Sequence, residues 1–233
     1  DMIYNIVLAC ALVMLVGSQN PSCGSDSTVT VSGNGKASAI PDIATFTITV
    51  SETAKTSKDA SAAANVKTSR ALSILNSNNV NKNDIKTTQL NISPQYDWNN
   101  GVQTLRGQQA TQSISVKLRN INPDGTTVGS LIDALATINN INLSGINFDI
   151  NDKSQLNKQA RQLAFNDAKA KGQQYAQLSG LRFGDALTVT DSSYSNQPIF
   201  YAAKAEAFGG ASTPVSVGQV EVNVDVTVTF KLL

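Results

Sequence analysis

The sequence predicts an α+β fold: two strand-helix-strand-strand units whose long helices pack on antiparallel sheet, with one extra helix between them. Three observations lead there. Residues 220–230 (VEVNVDVTVTF) alternate apolar and polar side chains almost without a break, which marks a strand with one packed and one wet face. Residues 59–76 and 153–179 change to the 3.6-residue period of long helices. The order strand, long helix, strand, strand then occurs twice, over residues 43–118 and 146–230. Identity between the halves is low, so the repeat is one of pattern.

The elements follow in order. Val29 and Val31, then residues 43–50 (IATFTITV), alternate as half-buried strands, with Pro41 and Asp42 marking the entry to the second. In residues 59–76 Ala60, Ala63, Ala64, Ala71, Ile74 and Leu75 form a small-sided stripe, and Asn78 and Asn79 offer a stop. Residues 85–96 and 111–118 read as two strands joined across Asn99, Asn100 and Gly101 by a long polar hairpin. Residues 123–138 read as a shorter helix with Pro123 near its first turn, and residues 141–150 as a strand. The longest helix, residues 153–179, places Leu156, Ala160, Leu163, Ala164, Tyr175 and Leu178 on one side, and Gly180 follows its end. Residues 187–190 and 220–230 supply the last strands. Between them, residues 192–217 are rich in Ser, Gly, Ala and Pro and carry Tyr194, Phe200, Tyr201 and Phe208. So long a connection is either a contact segment or plain disorder, and both readings stand.

The first 28 residues have a different character. Residues 6–16 (IVLACALVMLV) are an unbroken apolar run of eleven, well short of the roughly 20 residues of a membrane-spanning helix. This run reads as the core of a signal peptide at residues 1–22, with Gly17, Ser18 and Ser22 as the small residues near a cleavage site, although no Lys or Arg precedes it. The competing reading is a buried N-terminal helix. Residues 23–28 then serve as a tether, and residues 29–233 as the folded domain. Both cysteines, Cys10 and Cys23, fall in this region, and Cys23 is the candidate lipid-anchor residue, preceded by a poor lipobox in Asn20, Pro21 and Ser22. A domain free of thiols suits an oxidising compartment.

Composition removes several classes of function. Charged residues make up 15 % of the 233 and the net charge is +1. With no basic cluster the chain lacks the electrostatic footprint of a nucleic-acid binder. It has no histidine at all, which excludes Ser-His-Asp and Cys-His catalysis and His-based metal sites; neither cofactor, metal nor catalytic residue is expected. The string Gly33-Asn34-Gly35-Lys36 is not a phosphate loop, because it precedes Pro41 and a strand instead of opening a helix; its glycines are read as a turn using positive φ. Among the acids, Asp149 and Asp152 bracket a strand end, with Asp152 or Asn151 expected to cap the longest helix. Asp167 and Lys171, four apart with the acid first, are expected to pair within its apolar stripe. Asp42 is expected to fix the turn into its strand.

Several blocks together resemble the SIMPL, or DUF541, family of exported bacterial proteins: VSGNGKASAIPDIATFTITVS (residues 31–51), DIKTTQLNISPQYDW (84–98), the stretch 131–148 running into LSGINFDIND, ARQLAFNDAKAKGQQYAQLSG (160–180) and the closing GQVEVNVDVTVTF. The chain departs from the family pattern where Gln108, not an aromatic, follows Gly107, and where Asn79 replaces a helix-ending glycine. The resemblance implies an envelope or secreted location, helices against sheet, ring-like homo-oligomers in some members and a loose link to oxidative-stress defence that here would be indirect. The expected function is therefore a non-catalytic envelope protein that self-assembles through sheet edges and the hairpin, touching a membrane through its leader or Cys23 alone. Tyr96, Trp98, Tyr194, Phe200, Tyr201 and Phe208 are the candidate contacts. The alternative is a tethered binding or adhesion module that grips a partner with the aromatics of residues 194–208, and a third class is a hydrolase built on carboxylates alone.

Overall fold

The computed structural model describes residues 27–99, 101–192 and 213–233. The expected leader, Cys23, and Tyr194, Phe200, Tyr201 and Phe208 lie outside the described residues. The chain runs β1 (Thr28–Ala39), β2 (Ile43–Ala54), α1 (Ser57–Ser77), a 3-10 turn (Lys82–Asp84), β3 (Ile85–Asn99), β4 (Val102–Arg119), α2 (Thr126–Ala136), β5 (Ile141–Asp149), α3 (Ser154–Leu178), β6 (Phe183–Ser192) and β7 (Val220–Leu232). All pairings are antiparallel, in a four-stranded sheet of order β3-β4-β2-β5 and a three-stranded sheet of order β1-β7-β6. The fold is α+β, with α1 over β2 and β4 and α3 over β1 and β7.

The repeated order of elements is present along the chain, but sheet membership crosses it. β5 pairs with β2 in the first sheet, and β1 supplies the outer strand of the second. A strand's partner depends on the far side of the fold, which alternation within one segment cannot report.

Each sheet buries one face under its helix. Ala44, Phe46 and Ile48 of β2 and Ile114, Val116 and Leu118 of β4 meet Ala71 and Leu75 of α1 and Val128, Leu131 and Leu135 of α2. Val222, Val224, Val226, Val228 and Phe230 of β7 meet Leu156, Ala160, Ala164 and Ala168 of α3. The opposite face of the first sheet is hydroxyl-lined, with Thr49 bonded to Ser113 at 3.0 Å and Ser51 to Thr111 at 3.3 Å across the β2-β4 pair.

α1 begins at Thr56, whose hydroxyl accepts the Asp59 N–H at 3.1 Å. It ends at Asn78, and Asn79 adopts φ 58°. Asparagine is among the few residues that tolerate this left-handed position, so Asn79 ends the helix where a glycine would serve equally. Gly107 keeps its own role: a Cβ there would stand 2.5 Å from the Ala54 carbonyl oxygen.

Three expectations need correction. Gly33 and Gly35 are not in a turn; they lie inside β1 with no positive φ. A Cβ on Gly33 would fall 2.1 Å from the Ala164 carbonyl oxygen, and one on Gly35 would fall 2.0 Å from that of Ala160. The two glycines let the backbone of α3 rest directly on the strand. For the same reason the buried stripe of α3 is Leu156, Ala160, Ala164, Ala168, Gly172 and Ala176, whereas Leu163, Tyr175 and Leu178, expected inside, are exposed. Pro123 lies outside α2, which starts at Thr126 after Gly125 (φ 76°), with Asp124 accepting the Thr126 N–H at 3.0 Å. The hairpin itself is a paired ribbon: β3 and β4 stay paired beyond the expected strand ends to Asn99 and Val102, with register shifts between Thr87 and Gln89 and between Gln95 and Tyr96.

Candidate assembly surface

In β3 the alternation Leu90, Ile92, Pro94, Tyr96, Trp98 is unbroken, so these five side chains share one face of the strand. Pairing shows which face it is. Leu90 lies opposite Gln112 and Ile92 opposite Ala110; Gln112 accepts the Thr68 hydroxyl of α1, and Ala110 is buried against Ala60 and Ala64. The row therefore stands on the helix-bearing face, at the sheet edge, beyond the cover of α1. Trp98 is 69 % exposed, Leu90 70 % and Tyr96 47 %, and Leu105, opposite Tyr96, joins them from β4. At these exposures the row leaves roughly 500 Å² of mostly apolar surface in water, at the upper end of what monomers usually carry. Pro94 is admitted because β3 is an edge strand.

Of the sequence-predicted contacts, Tyr96 and Trp98 are thus brought together on one exposed face. Leu90, Ile92 and Leu105 were missed, although the period of two in LNISPQYDW carries the signal once β3 is known to be an edge.

The edge of β1 is treated differently. Asp167 of α3 accepts the Asn34 N–H at 2.9 Å, and Lys171 donates to the Ser32 carbonyl at 2.9 Å while pairing with Asp167 at 2.7 Å. These backbone groups point away from β7, so the acid-first pair on the flank of α3 occupies the hydrogen-bonding groups an added strand would need. The expected pairing is present, but beside the apolar stripe and half-exposed, not within it. Lys171 and the Asn34 N–H hold the Asp167 carboxyl below its ordinary pKa.

Other described acids are engaged as well. Asp84 receives Nε and Nη2 of Arg119, both at 2.7 Å, and Arg119 lowers its pKa by hydrogen bonding. Asp149 pairs with Lys153 at 2.8 Å. Asp152 accepts the Ser154 N–H at 2.9 Å, one residue ahead of Lys153, the residue that occupies the cap position of α3. Asp42 accepts the Asn151 N–H at 2.7 Å, which ties the start of β2 to the end of β5. A carboxyl-pair hydrolase needs one raised pKa; among the described residues, hydrogen bonds hold Asp84, Asp124, Asp133, Asp152 and Asp167 below the ordinary carboxylate range. Among the described residues no three His, Cys, Asp or Glu side chains gather as a metal site, and no helix is long and apolar enough to cross a membrane. A shallow groove of about 430 Å³ beside β1, lined by Ala37, Ser38, Gln159, Gln162, Leu163 and Asn166, holds no titratable group.

The family model described as SIMPL, protein of unknown function (DUF541), matches residues 29–230. The chain belongs to the SIMPL family. Its relatives include the 26 kDa periplasmic immunogenic protein of Brucella melitensis biotype 1, 26 % identical over 239 residues and covering 94 % of each chain. Another, named Uncharacterized protein YggE, from Escherichia coli (strain K12), is 26 % identical over 181 residues, covering 77 % of this chain and 72 % of its own. The SIMPL match spans both sheets and all three helices, so the β3-β4 hairpin and the guarded β1 edge both lie inside the family domain.

Proposed function

We propose that this SIMPL protein is a non-catalytic, exported envelope protein that works by self-assembly, with the β3-β4 hairpin as its contact surface. The observation that carries this reading is the row Leu90, Ile92, Tyr96, Trp98 and Leu105, an apolar patch held in water on a paired hairpin. Burying about 500 Å² of it would contribute on the order of 10 kcal/mol, to be set against about 4–15 kcal/mol for the costs of association. The word periplasmic in the name of the Brucella relative, and the apolar run at residues 6–16, support export with residues 1–22 as a leader. Whether a ring results depends on the rotation between neighbours. A part in oxidative-stress defence would be indirect, since the chain has no histidine and its two cysteines lie in the first 23 residues.

Native mass spectrometry of the purified chain tests the proposal. The unaltered protein is expected as a multi-subunit species at micromolar concentration, and the double variant Tyr96→Lys, Trp98→Lys as a folded monomer. A wild-type chain that stays monomeric at about 100 µM, where a net contact of about 5.5 kcal/mol would half-assemble it, would sink it.

A further inference from the structure

The guard on β1 covers only part of that edge. Asp167 and Lys171 take the Asn34 N–H and the Ser32 carbonyl, which point away from β7. β1 pairs with β7 without a register shift from Thr28 to Ala39, so the period of two turns the N–H and C=O of Lys36 and Ser38 to the same open side. Four-residue steps back along α3 lead from Lys171 through Asp167 to Leu163 and Gln159, where a guard would continue. There Leu163 offers only an alkyl group, 48 % exposed, and among the described residues the side chains of Gln159, Gln162 and Asn166 make no hydrogen bond. Between these side chains and the strand lies the groove of about 430 Å³, which Ala37 and Ser38 line from the β1 side.

We infer that this groove is a binding site for a short, uncharged peptide in extended conformation, which adds to β1 beside Lys36 and Ser38. An extended backbone is the ligand that presents donors and acceptors at the spacing of a strand edge. The three amide side chains can each donate to and accept from a peptide group or a hydroxyl, and Leu163 gives one apolar side chain a surface to rest on. Charge selects a neutral ligand. No titratable group lines the groove, and the Lys36 ammonium stands on the other face of the strand from α3, paired with Glu221 at 3.4 Å. A charged side chain placed in the groove would give up water and meet no counter-charge. Length is restricted as well: the guard closes the edge at Asn34 and β1 ends at Ala39, which leaves room for about four residues of extended chain. The described strands have nine residues or more, and one offered by a second copy would run into the guard. The site therefore suits a short peptide segment and not a copy of this chain. It goes beyond the self-assembly reading and does not depend on it.

The test is hydrogen exchange, read by mass spectrometry, on the full chain with the capped pentapeptide Ser-Val-Ser-Val-Ser at about 5 mM, enough to fill even a site of millimolar Kd. The amides of Lys36 and Ser38 are expected to exchange about fivefold more slowly with the peptide than without it, while those of β3 stay unchanged. The same peptide N-methylated throughout keeps the side chains, lacks the backbone donors and is expected to protect nothing. Two variants are checked for native circular dichroism: Gln162→Ala with Asn166→Ala, expected to lose at least half of the protection, and Leu163→Asp, expected to lose all of it. All three positions are exposed on α3, so the fold should hold. No protection of residues 35–39 by the pentapeptide overturns the site. Equal protection by the N-methylated peptide also overturns it, because the strand edge would then not be what is recognised. Protection by the neutral sugar chitotriose, with none by the peptide, overturns it in favour of a glycan ligand.

Discussion

At the scale of single residues, the missing side chains of Gly33 and Gly35 do more than any side chain nearby. Adding a methyl group to either would force the backbone of α3 off β1, because the clash is with carbonyl oxygens at 2.1 and 2.0 Å and not with a flexible side chain. Gly33→Ala and Gly35→Ala are each expected to lower stability by about 2–4 kcal/mol in urea unfolding. Gly101→Ala is the control: nothing lies within 4 Å of its Cβ, and the cost, about 1–2 kcal/mol, comes from φ 81° alone. Equal losses at the three sites would mean that close packing is not what the strand glycines provide. Sequence showed the glycines plainly but not their use. A glycine serves either a positive φ or a close approach, and the second depends on a helix some 130 residues further along the chain. The same holds for Trp98 and Tyr96: their apolar period is written in the sequence, whereas their exposure follows from where α1 stops.

At the scale of elements, α3 combines two functions on adjacent flanks. Its Ala and Gly stripe seats it on β1 and β7, and Asp167 with Lys171 reaches over the rim of β1 to its outward backbone groups. Periodicity located the helix to within a residue at each end, since twenty-five residues of one period leave little room for error. It misjudged the buried face because Leu163, Tyr175 and Leu178 are the large apolar residues, and a glycine-lined strand admits small ones. Removing the guard is expected to separate local from global stability. In Asp167→Ala the Asn34 amide should exchange with solvent about tenfold faster or more, the value of a hydrogen bond to a charged acceptor. The midpoint of global unfolding should change little, because a half-exposed pair contributes little. Unchanged exchange at Asn34 would show that Asp167 does not hold that amide. If the guard also excludes strand addition, the double variant Asp167→Ala, Lys171→Met should form larger species in sedimentation than the parent protein, even with Tyr96 and Trp98 replaced by lysine.

At the scale of the whole molecule, the carboxylates join segments that are far apart in sequence. Asp84 holds Arg119, Asp133 holds Thr213, and Asp167 holds Lys171 and Asn34, while Asp124 and Asp152 tighten the approaches to α2 and α3. Each of the five has its pKa depressed by those hydrogen bonds. For a group whose folded pKa lies below its unfolded value, the stabilisation is complete above the unfolded value, about 3.9 for aspartate, and is lost as pH falls through the folded one. With no histidine in the chain, no side chain of ordinary pKa titrates between pH 5 and 8. The thermal midpoint is therefore expected to stay level across that range, within about 2 °C, and to fall steadily below about pH 4. Arg119→Ala supplies the internal check. It releases Asp84 from its bidentate partner, so the variant should begin less stable at neutral pH and lose less on acidification, its midpoint converging on that of the parent near pH 2. Parallel profiles with no convergence would place the acid sensitivity elsewhere, and a midpoint that moves by more than about 5 °C between pH 5 and 8 would require a titrating group that these five carboxylates do not provide.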